Sequence, residues 1–238
     1  MIPKKIHYVW FGGKEKPELA KRCIESWKRF CSDYEIIEWN ESNFDINSNV
    51  YIRQAYESKK YAFASDLVRL LVVKEHGGIY LDTDVEVVKP FDELLVFDAF
   101  IGFENEEFCN TGQGFGSEAN SKFIDVMIAE YENSVFINKD GSLNMVGCPH
   151  KNTDAMRKLG FKIDGSMQVV SNVVCLPQEY MNPYDDSTGK LNKTGNTYSI
   201  HWYAKTWIPK HKVIRSNITR RIRRIFGANC FDFIKRKK

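Results

Sequence analysis

The chain has 238 residues, 43% hydrophobic and 27% charged, which is the composition of a globular protein and excludes a disordered one. Its net charge of +3 is unevenly divided: residues 212–238 carry ten Lys or Arg and one Asp, a charge of +9, which leaves −6 on the rest. Apolar runs fall far short of the ~20 residues of a membrane span.

Apolar strands and amphipathic helices alternate over the first 90 residues. A strand is predicted over 5–11, which Gly12-Gly13 ends, and a helix from Pro17 to about Phe30. A strand over 34–39 and short helix over 49–59 follow. This order predicts an α/β sheet.

The next predicted element is the most apolar helix, 61–75, which His76-Gly77-Gly78 ends. We then predict short strands or loops and one further helix: 79–81, 85–88, 99–103, 112–117 and the helix 120–133. The polar region 138–200 is predicted as loops with short strands at 168–176 and 197–202. One α/β domain over 1–211 is expected, with a separate basic tail over 212–238.

Asp82-Thr83-Asp84 is the motif most indicative of chemistry, because it follows the predicted strand 79–81. Open α/β sheets bind ligands at the carboxyl ends of their strands. Alternation along an extended chain points Asp82 and Asp84 the same way, and two such close carboxylates favour a cation between them. Oxygen ligands select Mg²⁺ or Mn²⁺, usually shared with substrate phosphates. A solvated turn is the alternative, since Asp-x-Asp alone is common.

Asp66 and Arg69 lie three residues apart on the predicted helix 61–75 and so share one face. Their neighbours are apolar, so we expect the pair to be buried or half-buried. A buried charge is costly unless it is paired or used. The pair is either a structural ion pair or, close to Asp82, a holder of sugar hydroxyls.

Three segments in this order carry a family resemblance: IPKKIHYVWFGG, YAFASDLVRLLVVKEHGGIYLDTDVEV and YSIHWYAKTW. They resemble the DXD-motif sugar-transferase family of capsular and exopolysaccharide synthesis, which is related to the catalytic domains of the large glucosylating toxins. The resemblance covers residues 1 to about 208, more loosely over 104–195. It implies a GT-A fold, a nucleotide-sugar-binding (Rossmann-like) α/β domain, and a retaining glycosyltransferase.

The resemblance also implies roles for residues that bind the donor. Trp10 would stack on the uracil of a UDP-sugar, with a plain core residue as the alternative, and Tyr80 would line the donor pocket. Asp66 and Arg69 would contact the donor sugar. Asn110 falls where relatives carry an asparagine-containing loop near the anomeric centre.

The metal roles implied by the resemblance fall on Asp82 and Asp84. Asp82 would contact ribose or sugar and a metal-bound water, and Asp84 would bind Mn²⁺ or Mg²⁺. The family's C-terminal block usually reads His-His-Trp-Ala-Gly-Ser-Trp, and one histidine of that pair is Trp202 here. His201 is therefore the candidate third ligand, with a core histidine as the alternative. In place of the usual Gly-Ser, Lys205 would approach the diphosphate and Thr206 would keep the hydroxyl role, and Trp207 would cover the phosphates.

The basic tail contains an isoleucine stripe within 213–227, with arginines on the other side of the predicted helix: Ile214, Ile218, Ile222 and Ile225 against Arg220, Arg223 and Arg224. This pattern fits a helix lying on an anionic membrane surface through 213–238. The alternative is a helix docked on the acidic body. Nucleic-acid binding is not expected, because no base-reading module accompanies the tail.

The expected function is transfer of a hexose from a nucleotide-diphosphate sugar to a glycan acceptor, lipid-linked, in capsular, exo- or lipopolysaccharide synthesis. The alternatives are a toxin-like transferase that modifies a protein, an Asp-x-Asp phosphatase and a non-catalytic sugar-nucleotide-binding module. Residues 6–11 are too short for a signal-peptide core, and the six scattered cysteines are interpreted as reduced thiols. We therefore expect a cytoplasmic protein, peripheral to the membrane.

Overall fold

The computed structural model describes residues 1–205 and 210–227, except for the side chains of 210–214 and 226. Seven helices lie within these residues: α1 Glu18–Phe30, α2 Val50–Glu57, α3 Tyr61–His76, α4 Lys122–Ala129, α5 Cys148–Lys158, α6 Gln178–Met181 and α7 Lys210–Phe226. The first strands there are β1 Lys5–Val9, β2 Glu35–Trp39, β3 Gly78–Tyr80, β4 Val85–Val87, β5 Ala99–Gly102 and β6 Phe115–Ser117. The later ones are β7 Gln168–Val170, β8 Val173–Leu176, β9 Tyr184–Asp185, β10 Lys190–Leu191 and β11 Ser199–His201.

The main sheet has seven strands in the order β2-β1-β3-β6-β5-β8-β7. The pairs β1–β2, β1–β3 and β5–β8 are parallel, whereas β6 lies antiparallel between β3 and β5, and β7 is an antiparallel edge strand. Two small antiparallel sheets, β9–β10 and β4–β11, stand apart from it. The predicted α/β class is confirmed.

Helices cover both faces of this sheet, because successive side chains of its strands point to opposite sides. In β5, Ala99 and Ile101 join the apolar cluster under α2–α5, and Phe100 joins the cluster under α1. Trp27 of α1 is fully buried in the second cluster and donates its indole N–H to the Val85 carbonyl at 2.7 Å. This bond ties α1 to β4, the strand that follows the DXD motif.

Helix α3 is buried along most of its length and returns directly into β3 through Gly77 and Gly78. Both glycines have positive φ, 61° and 107°. A Cβ on Gly77 would lie 2.9 Å from the Pro3 ring, and one on Gly78 would lie 2.9 Å from the Lys5 carbonyl oxygen. The tight return therefore needs glycine, and it sets α3 beside the strand whose end carries Asp82.

The region 138–200 differs from its prediction, because it contains the eleven-residue helix α5. The helix follows Gly147 in extended conformation and has Pro149 in its first turn, a favourable start. The helix was not predicted because its sequence is polar and lacks a continuous apolar stripe. Asn152 and Thr153 are nevertheless buried, since they accept hydrogen bonds from the backbone N–H groups of Thr111 and Cys109. Other elements lie close to their predicted ranges; β1 ends at Val9, two residues early.

Helix α7 begins at Lys210 and lies against the body through its basic side. Arg220 donates through Nε to the Asp186 carbonyl at 2.9 Å and forms an ion pair with the Asp186 carboxylate. Ile218 and Ile225 are 57% and 76% exposed. The Ile214 side chain lies outside the described residues. Within 1–205 and 210–227, no helix combines the length and the apolarity needed to cross a membrane.

Candidate active site

The candidate site lies where β1 and β3 end side by side. Because these two strands are parallel, the residues that follow them, Trp10 and Asp82, emerge at the same edge of the sheet. The Leu81 N–H donates to the His7 carbonyl at 3.0 Å and extends the pairing by one residue. The DXD motif therefore lies at the carboxyl ends of β1 and β3, the edge of the sheet at which a ligand was predicted to bind.

Arg69 is the centre of a buried charge network and is itself 2% exposed. Its Nη2 lies 3.1 Å from Oδ1 of Asp66 and 3.1 Å from Oδ1 of Asp82. Its guanidinium also lies 5.0 Å above the centre of the Tyr80 ring. The expectation of a buried Asp66–Arg69 pair close to Asp82 is confirmed.

The side chain of Asp66, on α3, contacts the first residue of α5. Burial raises the pKa of Asp66 to about 6, against the lowering effect of Arg69, and the charge of Asp82 raises it further. Hydrogen bonds with Cys148, the first residue of α5, lower it. A helix N-terminus favours a carboxylate, so α5 helps to keep Asp66 ionised at neutral pH.

Asp82 faces this network through its side chain. It accepts a hydrogen bond from the Tyr80 hydroxyl at 2.9 Å and two from Arg69 at 3.1 and 3.4 Å. Burial raises the pKa of Asp82, Arg69 lowers it and the charge of Asp84 raises it. The two DXD carboxylates therefore repel each other across one site, as the sequence predicted.

The backbone around Asp84 differs from the extended chain assumed from sequence. Residues 82–85 form a turn, with the Val85 N–H donating to the Asp82 carbonyl at 3.0 Å. Asp84 then accepts the Ala204 N–H at 2.7 Å and lies 3.4 Å from Nε2 of His201. The antiparallel register of β4 with β11, His201 opposite Val85, brings this histidine to the motif.

Asp84 and His201 shift each other's ionisation. Burial raises the pKa of Asp84, but His201 and the Ala204 N–H lower it to a value below the usual one. Burial lowers the pKa of His201, whereas Asp84, Asp82 and Glu104 raise it, with a net increase. The pair thus favours an ionised carboxylate that faces an imidazole.

The donor set at this point fits a divalent cation. Asp84 and His201 face each other with the negative charge of Asp82 close by, and Nδ1 of His201 is buried without a hydrogen-bond partner. In the described part of the chain, no three His, Cys, Asp or Glu side chains converge as a complete ligand set. Mg²⁺ typically takes one or two carboxylates and completes its shell with water and substrate phosphates.

Asn110 lies against the same network. Its Oδ1 accepts the Gly112 N–H at 2.6 Å and the Cys148 thiol at 3.4 Å, and its Nδ2 donates to Glu104 at 3.4 Å. The Gly112 carbonyl in turn accepts the Asp82 N–H at 3.3 Å. The loop after residue 108 is therefore fixed beside the DXD motif.

The remaining donor residues have other partners. Trp10 is half-buried, and its indole N–H donates to the Lys14 carbonyl at 2.6 Å. Lys205 forms an ion pair of 2.5 Å with Asp186 and donates to the Ser216 hydroxyl of α7 at 2.9 Å, so its ammonium group is engaged by these two side chains. Thr206 and Trp207 lie outside the described residues.

Sequence reasoning missed four residues that line the network. The Cys148 thiol accepts a hydrogen bond from Arg69 at 3.3 Å, and the Thr111 hydroxyl accepts another at 3.3 Å. Glu104 accepts the Tyr203 hydroxyl at 3.0 Å, and the Tyr203 ring lies 4.1 Å from that of His201. No local pattern marks these residues; a positive φ of 51° at Tyr203 becomes visible only in the structure.

Sequence comparison finds a family match for the part of the chain that carries these charges. Residues 17–101 match the model described as "Glycosyltransferase sugar-binding region containing DXD motif". The chain is 41% identical over 85 residues to Glucan organizing enzyme 1 of Cryptococcus neoformans, covering 31% of this chain and 23% of that protein. It is 36% identical over 110 residues to Toxin Afp18 of Yersinia ruckeri, covering 46% of this chain and 5% of the toxin.

A third relative is Inositol phosphoceramide mannosyltransferase 3 of Schizosaccharomyces pombe, 32% identical over 108 residues, with 42% of this chain and 29% of that protein covered. The chain thus spans less than a third of the length of these relatives. Among solved structures, PaToxG Glycosyltransferase is similar, with 24% identity, 66% of this chain and 69% of that chain covered and a TM-score of 0.46.

The matched range of residues contains Asp66, Arg69, Asp82 and Asp84, the same charges that the fold gathers at one sheet edge. The predicted resemblance to the DXD-motif sugar transferases is confirmed over this range. Over residues 17–101, the chain is therefore similar to the DXD-containing sugar-binding region of glycosyltransferases.

Proposed function

We propose that this protein is a metal-dependent, retaining glycosyltransferase. In this proposal it transfers a hexose from a UDP-sugar to a lipid-linked glycan acceptor, in the synthesis of capsular, exo- or lipopolysaccharide. The observation that carries the proposal is the buried Asp66–Arg69–Asp82 network, which lies next to the Asp84–His201 pair at one sheet edge. Buried charges that a fold maintains at a strand end are typical of a ligand site.

The network suits a sugar with several hydroxyl groups. Arg69 lies between two carboxylates and orients both, so that their outer oxygens are available to accept hydroxyl donors. The Asn110 amide and the Gly112 backbone lie beside them. These groups hold the donor sugar with its anomeric carbon near the diphosphate, and the low dielectric of the buried site strengthens each of these bonds.

Asp84 and His201 are the residues that would hold Mn²⁺ or Mg²⁺. A bound cation would supply charge stabilisation to the leaving nucleoside diphosphate. Asp84 accepts the Ala204 N–H, which fixes its carboxylate opposite the imidazole. Trp10, which follows β1, would stack on the uracil base.

Retention requires the acceptor hydroxyl to approach from the face of the leaving group. The C1–O bond to the diphosphate breaks, the acceptor oxygen bonds to C1, and the hydroxyl proton passes to a phosphate oxygen of the leaving group. The transition state resembles an oxocarbenium ion. This path needs no protein base, in keeping with the network, where Asp66 and Asp82 are both paired with Arg69.

We further propose that α7 holds the enzyme at the cytoplasmic face of an anionic membrane. Its Arg220 side faces the body, and its Ile218 and Ile225 side chains are exposed. An exposed apolar stripe flanked by basic residues is typical of helices that lie on membrane surfaces. A lipid-linked acceptor would then meet the active site at that surface.

A second candidate is transfer of the sugar to a protein. It is favoured by the 36% identity over 110 residues to Toxin Afp18. The same donor site would serve both functions, so the acceptor alone distinguishes them.

The decisive experiment is a donor screen. The protein is incubated with Mn²⁺ and a panel of nucleotide sugars, and slow hydrolysis of the donor is measured. We expect hydrolysis of one UDP-sugar, and a loss of about 100-fold or more in Asp84→Ala, because electrostatic stabilisation of a leaving group is worth several kcal/mol.

Asp154→Ala is the matched control, since Asp154 is an exposed carboxylate of α5 paired with Arg157. It is expected to keep wild-type hydrolysis. Unchanged hydrolysis in Asp84→Ala would remove the metal assignment, and no hydrolysis of any donor by the wild type would contradict the proposed function.

A further inference from the structure

His201 lacks the contact that usually orients a histidine ligand. A metal-binding histidine generally donates from its second ring nitrogen to a carboxylate, carbonyl or water, and this bond fixes the orientation of the ring. In the part of the chain that the structure describes, Nδ1 of His201 is buried without a hydrogen-bond partner, while Nε2 faces Asp84 at 3.4 Å. The imidazole is therefore held towards Asp84 by a contact of another kind.

The Tyr203 ring supplies this contact. Its centre lies 4.1 Å from the centre of the His201 ring, and the two ring planes are inclined by 33°. His201 ends β11, and Tyr203 follows two residues later with a positive φ of 51°. A bulky residue in this region of φ is strained, and such strain persists only where the surrounding structure holds the residue in place. The Tyr203 ring is thus placed against the imidazole by a strained turn.

The hydroxyl of Tyr203 is held from two sides. It accepts a hydrogen bond from Nδ2 of Asn182 at 2.5 Å and donates one to Oε1 of Glu104 at 3.0 Å. Asn182 is itself buried, and its Nδ2 also donates to the Glu104 carbonyl at 3.1 Å. Burial raises the pKa of Tyr203, and the charge of Glu104 raises it further, so the hydroxyl keeps the proton that it donates. These bonds stabilise the strained conformation of Tyr203.

The same turn also positions Asp84. Ala204, the residue after Tyr203, donates its N–H to Oδ2 of Asp84 at 2.7 Å, and the Trp202 N–H donates to the Asp84 carbonyl at 3.0 Å. Residues 202–204 therefore wrap around Asp84. A change in the conformation of Tyr203 would move both proposed ligands, His201 through the ring contact and Asp84 through the next backbone N–H.

We infer that Tyr203 is a positioning residue for the metal site, held in its place by Glu104 and Asn182. The inference rests on the proposed function, and it names the residues that keep Asp84 and His201 oriented towards Mn²⁺ or Mg²⁺. Tyr203 acts through these two side chains and is not itself a ligand. Because Glu104 and Asn182 lie far from residues 201–204 along the chain, the orientation of the ligands depends on the tertiary structure.

Binding of Mn²⁺ to the full chain in the presence of UDP tests the inference without turnover. The EPR signal of free Mn²⁺ decreases on binding, and its titration gives the dissociation constant. We expect Tyr203→Phe, which keeps the ring and removes the hydroxyl, to weaken binding about tenfold, since residues that orient metal ligands contribute about 10–100-fold to affinity. Glu104→Ala should weaken it similarly. Glu104→Gln, which keeps an oxygen that can accept the hydroxyl, should retain most of the affinity.

Tyr198→Phe is the matched control. Tyr198 is buried close to the start of β11, and its hydroxyl also donates to a glutamate, Glu93, at 2.6 Å. Its ring packs against other aromatic rings. Tyr198→Phe should therefore lower the urea midpoint of unfolding, as Tyr203→Phe does, but leave the affinity for Mn²⁺ unchanged.

Wild-type affinity for Mn²⁺ in Tyr203→Phe, or an equal loss in Tyr198→Phe, would overturn the inference. If Tyr203→Phe does not fold, the Glu104 variants decide: equal affinity in Glu104→Ala and Glu104→Gln would contradict the positioning role. If Asp84→Ala abolishes Mn²⁺ binding and Tyr203→Phe keeps it, the metal site stands and the role of Tyr203 falls. If the wild type with UDP binds no Mn²⁺, the proposed metal-dependent function itself fails.

Discussion

At the residue scale, Arg69 determines the chemistry of the site. Burial lowers the pKa of Arg69, but Asp82 and Asp66 raise it well above the usual value, so the guanidinium is charged wherever the fold is intact. Removing a buried partner of such a network leaves an uncompensated charge, which is far more costly than the network is worth as a whole. The residues around it are therefore constrained in shape as well as in charge.

Gly112 is the position where this constraint is most easily tested. A Cβ there would lie 2.7 Å from Oδ2 of Asp82 and 3.0 Å from Oδ1 of Asn110. Gly112→Ala should therefore displace Asp82 and lower donor hydrolysis by about 100-fold, since a 1 Å misplacement costs that much. Initial rates with the donor found in the screen measure the effect.

The comparison variant is Gly141→Ala, since no atom lies within 4 Å of a Cβ at Gly141 and its φ is 81°. It tests the cost of backbone strain alone. If Gly112→Ala kept wild-type hydrolysis, the close contact with Asp82 would not control the site.

At the element scale, the return of α3 into β3 joins the site to the core. His7 of β1 lies beneath that return: its Nε2–H donates to the Gly77 carbonyl at 2.8 Å, and its Nδ1 accepts the Trp39 indole N–H at 3.1 Å. Both nitrogens are satisfied only in the neutral ring. A buried neutral histidine makes the junction sensitive to acid.

Stability should therefore fall as pH decreases from 6.5 to 4. Burial lowers the pKa of His7 to about 4, against the raising effect of the hydrogen bond to Gly77. Between the unfolded pKa of about 6.5 and this value, the unfolded chain binds the proton and the folded chain does not. The stabilisation is complete above pH 6.5, and about 3 kcal/mol of it is lost by pH 4.

Urea unfolding at a series of pH values measures this loss, and His7→Gln should reduce the slope. His76→Gln is the matched control, because His76 stacks on Trp39 but is partly exposed. A slope that persists in His7→Gln and disappears in His76→Gln would assign the acid sensitivity to the wrong histidine.

At the scale of the whole molecule, the acidic body and the basic C-terminal helix are joined by ion pairs. Asp186 of the body holds Lys205 and Arg220, and so links the end of the α/β domain to α7. A glycine with φ of 71° at Gly189 leaves room for the Arg220 side chain, since a Cβ there would lie 2.8 Å from it. Helix α7 therefore contacts the body through Arg220 and exposes Ile218 and Ile225 on its other side.

The double variant Ile218→Ser/Ile225→Ser tests the outward side. It should weaken sedimentation with anionic vesicles by about tenfold or more, because two exposed apolar side chains contribute about 1.5–3 kcal/mol each when buried. Donor hydrolysis should be unchanged, since both side chains are exposed on α7 and not among the residues of the donor network. Val96→Ser, an exposed apolar residue far along the chain from α7, is the control.

The alternating strands and helices predicted the α/β class, and the apolar helix 61–75 with its glycines predicted the return into β3. The spacing of apolar residues predicts both features, because each helix or strand must bury the apolar face that its own sequence creates. Helix α5 was not predicted, since two of its five buried residues, Asn152 and Thr153, are polar and its start depends on Gly147. Burial of Asn152 is decided by a distant loop, through the hydrogen bond that it accepts from Thr111.

The sequence by itself determined which charges form the site: Asp66, Arg69, Asp82 and Asp84 lie within one stretch whose spacing is set by a helix, a turn and a strand. The tertiary structure alone decided their partners. Three of these partners, Cys148, Glu104 and Tyr203, come from separate parts of the chain, and long-range packing has no local period to reveal them. His201 stands between the two cases, because its motif suggested a role and the register of β4 with β11 supplied the contact.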